Sequence, residues 1–307
     1  MKLIMVHGGV ETPVAPCYMK ILNQALSAGY ASLPTGPLDA AEAAVKVLES
    51  HPLFNAGYGS VLNALGEAEM DAAMIDGATG RFGAVGAIKN IAHPVSVARK
   101  VLEDTSHVLL VGAGAERFAQ EKGFPVADCV TEEMYANWEK AKAQIGGDQT
   151  GISLLTALPI VGLHAGDTVG CLVFNDGHLC AASSTGGSFM KLPGRVGDTP
   201  ILGAGILATE NGAVVCTGIG EAFIETMTAN FINSLLEQGV SPQEAADRAL
   251  IRLSSRKPLP GGIIVINNEG TFGASYNSYS FPVAVMVNGQ LVAGFRPHQL
   301  PKFTELS

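Results

Sequence analysis

Apolar positions along this chain follow two rhythms. In the first they recur at helical spacing. Pro16 to Ala28 is one such stretch, with Gly29 placed to end it, and Ala40–Leu48 is another, with Asp39 as its N-cap. Val95–Leu102, Ala115–Gln120, the polar stretch Thr131–Gln144, Ala222–Leu236 and Pro242–Leu253 also read as helices. The last of these opens on Ser241-Pro242-Gln243-Glu244, a capping box with proline at the first helical position. In the second rhythm, short apolar runs stop at turn residues: Leu3–Val6, Glu69–Ile75, Ala84–Ile88, Val108–Val111, Val169–Phe174, His178–Ser183, Ile263–Ile266, Thr271–Ser275, Val283–Val287 and Leu291–Ala293. Val108–Val111 reads as a buried strand. Asn175-Asp176-Gly177, Asn267-Asn268-Glu269-Gly270 and Asn288-Gly289 join neighbouring runs as hairpins.

Strands joined by hairpins make antiparallel sheets, and the helices must then cover their outer faces. The pattern predicts an α+β fold, a four-layer αββα sandwich of two mainly antiparallel sheets, in one domain over residues 1–307. One stretch breaks both rhythms. Gly146-Gly147-Asp148-Gln149-Thr150-Gly151 opens a segment, about residues 145–167, that reads as a mobile linker. Behind it the strand pattern resumes at Thr168.

Composition narrows the function classes. Charged residues are 15% of the chain, glycine is abundant at 37 of 307 residues, and the mean hydropathy is +0.27. These describe a core-rich globule with many tight turns. A net charge of −9 and no basic stripe argue against nucleic acid or an anionic membrane as partner. No apolar run approaches the roughly 18–20 residues of a membrane span. Five scattered cysteines without a Cys-x-x-Cys fit a reduced, cytoplasmic setting. The histidines show no metal-ligand spacing, and His7 reads as part of a glycine-rich loop.

The candidate chemistry centres on Thr168, in His164-Ala165-Gly166-Asp167-Thr168-Val169-Gly170. A threonine at a strand start is usually only a strand former. Behind a linker it also has the form of a hidden N-terminal nucleophile. Cleavage of Asp167–Thr168 frees an α-amine with a pKa of about 7.7–8.0, which can serve as base for its own hydroxyl. Two Thr-Gly turns, Ser184-Thr185-Gly186-Gly187 and Cys216-Thr217-Gly218-Ile219-Gly220, offer hydroxyls and backbone N–H donors for a developing oxyanion. Arg195 and Asp198, set among glycine and proline, could be a surface ion pair of little value. They could instead clamp the carboxylate and ammonium of an α-amino acid.

The ordered set of segments resembles the plant-type L-asparaginase/isoaspartyl peptidase family of N-terminal nucleophile hydrolases. The matching segments are His7-Gly8-Gly9, Phe54-Asn55-Ala56-Gly57-Tyr58-Gly59-Ser60-Val61-Leu62-Asn63, Glu69-Met70-Asp71-Ala72, Asp167-Thr168-Val169-Gly170, Ser184-Thr185-Gly186-Gly187, Gly194-Arg195-Val196-Gly197-Asp198-Thr199-Pro200 and Thr217-Gly218-Ile219-Gly220-Glu221. The resemblance implies self-cleavage at Asp167–Thr168 into an α-subunit (1–167) and a β-subunit (168–307), assembled as a homodimer of αβ units. It implies Thr168 as nucleophile, Thr185 as its hydrogen-bonding partner, and Thr217 with the Gly218 N–H as oxyanion hole. Arg195 would hold the substrate α-carboxylate, and Asp198 the α-ammonium, with Gly220 beside it. Asn55 would orient the Thr168 amine. Catalysis would need no cofactor, and a structural sodium ion would sit on backbone carbonyls of Leu53, Asn55, Tyr58, Ser60 and Leu62. Substrates would be L-asparagine and β-aspartyl dipeptides.

Two other readings compete. Glycosylasparaginases also carry Asp before the threonine, and Val97–Glu103 to Phe118–Gln120 resembles that branch. Against it, the sole tryptophan, Trp138, lies near the linker and not beside the substrate segments. Val108-Leu109-Leu110-Val111-Gly112-Ala113-Gly114-Ala115-Glu116-Arg117 has the form of strand, Gly-x-Gly and helix, as in an NAD-dependent oxidoreductase. Arg117 stands where that fingerprint needs its third glycine.

Overall fold

The computed structural model describes residues 1–144 and 168–305, so the expected linker and Asp167 lie outside the described residues. The elements in chain order are β1 (Lys2–His7), α1 (Pro16–Ser32), α2 (Pro37–Glu49), β2 (Met70–Asp76), β3 (Arg81–Ile88), α3 (Pro94–Asp104), β4 (Leu109–Val111), α4 (Gly112–Glu121) and α5 (Glu132–Gln144). After residue 167 come β5 (Val169–Asn175), β6 (His178–Thr185), β7 (Ile206–Ala208), β8 (Gly212–Gly218), α6 (Gly220–Thr226), α7 (Thr228–Glu237), α8 (Pro242–Arg256), β9 (Gly261–Asn267), β10 (Phe272–Tyr276), β11 (Val283–Val287), β12 (Gln290–Leu291) and β13 (His298–Gln299).

The strands form two sheets. The larger runs β12-β11-β1-β5-β6-β2-β3-β4 and the smaller β13-β10-β9-β8-β7. All pairs are antiparallel except β3–β4 and β10–β13. Side-chain alternation then builds the layers. Leu3 and Met5 join Leu172, Phe174, Val215 and Ile264 in a core between the sheets. Ile4 and Val6, one residue out of phase, pack with Leu22, Leu26, Ala44 and Leu48 of α1 and α2. On the outer face of the smaller sheet, Val214 and Val265 meet Ile232 of α7 and Leu250 of α8. These faces make the expected αββα order, and each fully buried Leu, Ile or Val contributes roughly 1.5–3 kcal/mol. In the larger sheet β5 lies between β1 and β6, and β6 lies between β5 and β2. A break at residue 167 would therefore leave both pieces hydrogen-bonded into one sheet.

Several local expectations change. Gly29 does not end α1. It lies inside the helix, where a Cβ would sit 3.0 Å from the Ala40 carbonyl and 3.2 Å from Ala44, so it permits close α1–α2 packing. Asp39 lies in the first turn of α2, and Gly36 is the cap. The helix expected over Ala222–Leu236 is two helices, broken at Met227 in the left-handed region (φ 47, ψ 54). There Arg252 of α8 donates to the Thr226 carbonyl at 2.6 Å, capturing the carbonyl that a continuous helix would use. Val108–Val111 is not a buried strand: β4 is a partly exposed edge. Strands β7 and β13 are too short to read from period alone.

Candidate active site

Thr168 immediately precedes β5, and Thr185 is the last residue of β6. Val169 pairs with Ser184, so one further step of the register sets Thr168 opposite Thr185. By strand parity both share the face of Leu172 and Ala181, towards the second sheet. Both are buried, at 4% and 2% exposure. The Thr185 Oγ1 accepts the Gly187 N–H at 2.9 Å. Asn55 locks the same turn. Its Nδ2 donates to the Gly187 carbonyl and its Oδ1 accepts the Val61 N–H, both at 2.8 Å, while its own carbonyl accepts the Gly186 N–H at 2.9 Å. A Cβ on Gly186 would collide with Asn55 Oδ1, so the turn requires glycine. The sequence reading aimed Asn55 at the Thr168 amine. In the structure its amide holds the turn that carries Thr185, which lies opposite Thr168 by register.

His7, read as loop structure, belongs to this end of the site. It ends β1 opposite Gly170 and is fully buried. Its Nδ1 accepts the Gly9 N–H at 3.2 Å, so the proton resides on Nε2. That nitrogen lies against Gly170 and faces the Thr168 backbone, without closing full hydrogen-bond geometry. Burial pushes the imidazole pKa down to about 3, against the pull of the Thr168 backbone, so the ring is neutral. Only the strand register could have signalled this. The following loop is pinned. The Gly8 N–H donates to the Pro282 carbonyl at 3.0 Å, and Val10 packs on Gly262, the β9 partner of Thr217.

The smaller sheet supplies the opposite wall. Thr217 shares the inward face of Ala213 and Val215 on β8. A Cβ on Gly170 would lie 2.6 Å from Val215, so β8 crosses directly over β5. Thr217 Oγ1 is buried with no hydrogen-bond partner among the described residues. Gly218 follows at φ +138, and a side chain there would strike the Pro260 carbonyl.

The charged groups stand on the loop between β6 and β7, held from the start of β2. The Glu69 carboxylate accepts the Gly194 N–H at 3.0 Å, and the Glu69 carbonyl accepts Lys191 Nζ at 2.7 Å. Asp71 accepts the Gly197 N–H at 3.0 Å and the Ala87 N–H at 2.8 Å. These bonds give Glu69-Met70-Asp71 a task that the sequence reading left unassigned. Arg195 makes a fork to Glu221, Nε to Oε1 at 2.9 Å and the outer nitrogen to Oε2 at 2.8 Å. Burial works against the guanidinium charge, but Glu221, Asp71 and Asp198 together more than offset it and the pKa rises. Asp198 is buried beside Gly205 and Gly220. A Cβ on Gly205 would lie 2.6 Å from Oδ2, and one on Gly220 would lie 2.9 Å from Oδ1 and 3.0 Å from Arg195. Its Oδ2 has no hydrogen-bond partner among the described residues. Burial raises the carboxyl to about 7, although Arg195 pulls the other way.

These groups adjoin one another: Thr168 lies opposite Thr185 by register, Thr185 accepts the Gly187 N–H, Arg195 lies beside Gly187, and Arg195 and Asp198 both lie beside Gly220. The arrangement sets hydroxyl groups at the ends of two facing sheets, with a cation and a carboxyl capable of holding an amino acid's two backbone charges. Of the sodium loop, the Asn55 and Leu62 carbonyls each already accept an N–H, from Gly186 and Met190. The loop coils its carbonyls inward at its glycines. A Cβ on Gly59, at φ +124, would meet the Phe54 and Pro52 carbonyls at 2.8 and 2.9 Å, so the coil of this loop requires glycine there. The Gly-x-Gly of the dinucleotide reading follows edge strand β4. A Cβ on Gly112 or Gly114 would meet nothing within 4 Å, so those glycines answer to no close packing.

The match to known proteins runs nearly end to end. The asparaginase family model covers residues 2–293. A plant-type L-asparaginase of Pyrococcus furiosus is 41% identical over 304 residues, covering 94% of this chain and 97% of the relative. An isoaspartyl peptidase/L-asparaginase of Rattus norvegicus is 40% identical over 303 residues, covering 95% and 88%. One of Xenopus laevis is 38% identical, covering 95% and 94%.

Proposed function

The chain belongs to the asparaginase family, and we propose that it is a self-processing threonine hydrolase of L-asparagine and β-aspartyl dipeptides. The observation that supports the reading is that Thr168 and Thr185 lie opposite each other by register and Thr217 lies on the facing sheet, all by parity on inner faces, with Arg195 beside Gly187 and Asp198 beside Gly220. In processing, the Thr168 hydroxyl attacks the Asp167 carbonyl. The peptide becomes an ester, the Thr168 amine is released, and water hydrolyses the ester to leave the Asp167 carboxylate. In turnover, that amine takes the hydroxyl proton as Thr168 attacks the side-chain carbonyl of the aspartyl unit. Thr185 steadies the nucleophile, while Thr217 and the Gly218 N–H stabilise the oxyanion. Ammonia or the dipeptide's second residue leaves with a proton, and water then frees L-aspartate. Arg195 and Asp198 hold the α-carboxylate and α-ammonium throughout.

Thr168→Ala tests both steps. The wild type should run as two fragments on a denaturing gel and release ammonia from L-asparagine. The variant should stay whole and inactive. A wild type that remains one chain after long incubation at neutral pH sinks the processing step.

Glycosylasparagine hydrolysis is the second reading, favoured by Asp167. All three substrates present the same aspartyl half, so only the leaving-group side discriminates. Ile219 lies there, buried and apolar, with no sugar-stacking tryptophan beside it in sequence. A side-by-side assay of L-asparagine, β-aspartyl-leucine and N-acetylglucosaminyl-asparagine separates the readings. Three further parts of the proposal are a sodium ion stiffening the Leu53–Leu62 loop, a homodimer of αβ units and a cytoplasmic setting. All five cysteines are free, and among the described residues no helix is long and apolar enough to cross a membrane.

A further inference from the structure

Asp76 ends β2, while His178 opens β6 and Cys180 follows two residues later. Residues two apart on a strand share a face, and Cys180 is the cross-strand partner of Asp76. One donor atom from each of the three lies within 4.8 Å of the others. His178 Nε2 stands 2.5 Å from Asp76 Oδ1, and Cys180 Sγ stands 4.0 Å from the same oxygen. The carboxylate is held in place from behind. The Ala78 N–H donates to Oδ1 at 3.0 Å and the Thr79 hydroxyl to Oδ2 at 2.9 Å. The sulfur is buried, whereas about a third of the His178 side chain is exposed and gives access from solvent.

We propose that Asp76, His178 and Cys180 form a zinc site, with solvent water as the fourth ligand. One oxygen, one nitrogen and one sulfur suit a borderline-soft ion such as zinc better than calcium or magnesium. Bonds of about 2.0–2.3 Å to a tetrahedral zinc set the donors roughly 3.3–3.7 Å apart. The accessible His178 ring must therefore back away from Asp76 while Cys180 closes slightly. On binding, Cys180 gives up its thiol proton. The His178 proton sits on Nδ1, leaving the Nε2 lone pair for the metal. Ala78 and Thr79 supply the outer hydrogen bonds that orient a ligating carboxylate. The neighbouring Arg99 is paired with Asp39, Glu42 and Glu103, so its charge is offset. Cys180 is five residues from Thr185 along β6, about 17 Å of strand, so the ion would staple β2 to the β5–β6 hairpin without touching the reaction.

Cobalt(II) chloride is the optical probe, added to metal-stripped full-length protein. Wild type should show thiolate-to-cobalt absorption saturating at one cobalt per chain. Zinc should bleach it and raise the melting temperature. His178→Gln and Cys180→Ala should each abolish the absorption, whereas Cys17→Ser, at the exposed cysteine, should keep it. If buried Cys180→Ala fails to fold, His178→Gln, at the partly exposed ring, still decides the matter. No thiolate absorption in wild type overturns the site. So does absorption that survives His178→Gln, or that vanishes in Cys17→Ser.

Discussion

The two halves of the candidate site are built by different means. The nucleophile end is a product of backbone register. Thr168 and Thr185 face each other because β5 and β6 pair as they do, and Asn55 tightens the adjoining turn with neutral hydrogen bonds. The clamp is a product of charge. Arg195 and Asp198 ride on a loop with no strand of its own, tied down by the carboxylates of Glu69 and Asp71 and by the fork to Glu221. The first half sets geometry, and processing would add to it the Thr168 amine, a base with a pKa of about 7.7–8.0. The second supplies recognition, and the buried Asp198 Oδ2, without a hydrogen-bond partner among the described residues, makes it responsive to protons and ligands.

Arg195→Ala should break the comparison most sharply. Losing a desolvated charge-assisted partner costs about 2–5 kcal/mol, or roughly 30-fold to several-thousand-fold in kcat/KM for L-asparagine. Self-processing should proceed undiminished, because the scissile peptide has no free α-carboxylate to bind. A variant that no longer splits would show that the halves are not separable. Gly186→Ala attacks the other side. The new methyl group collides with Asn55 Oδ1 and displaces the Thr185 turn. A misplacement of about 1 Å can cost about 100-fold, so both processing and hydrolysis should slow to that extent. Time courses on denaturing gels, alongside ammonia release, would show whether both fall together.

A third test uses the Asp198 carboxyl, whose value near 7 in the folded protein exceeds the ordinary 3.8. Between those values the folded state keeps a proton that the unfolded chain has released. Stability contributed at this group therefore falls as pH rises from about 4 through 7, then levels off. Substrate binding runs the other way, since an ammonium needs the ionised carboxylate. KM should drop by about tenfold per pH unit on the acid side of 7. Asp198→Asn should flatten that limb while leaving the processing rate near wild type. An unchanged KM profile would remove Asp198 from ammonium recognition. The smallest effect is expected for Glu221→Gln. The Glu221 side chain is half exposed, so its pair with Arg195 is worth about 1 kcal/mol or less, and a change of a few-fold in KM should follow. A loss as large as that of Arg195→Ala would make the fork itself part of recognition.

Much of this was legible in the chain. Period-two and helical spacing give most elements and the layered fold, because burying one face of a strand or helix leaves its imprint on consecutive residues. Asn175-Asp176-Gly177 forms its hairpin with Asp176 at φ 48 and Gly177 at φ 96, as the turn residues require. Thr168, Thr185, Thr217, Arg195 and Asp198 could be named because each stands in a short run of glycine-rich or charged residues. Gly29 and Met227 were misjudged because what acts on them, the α2 backbone and Arg252, is distant in sequence.

The sequence alone therefore determined most of the elements, most of their inward faces and the residue types available for chemistry, all of which depend on neighbours a few positions apart. Only the tertiary structure decided which of those residues meet. It brought His7 against the Thr168 backbone, gave Asn55 to the Thr185 turn and set the Arg195 loop on Glu69 and Asp71. Those contacts span more than 100 residues of chain. They arise because two sheets packed face to face fix the relative positions of strand ends that no local pattern records.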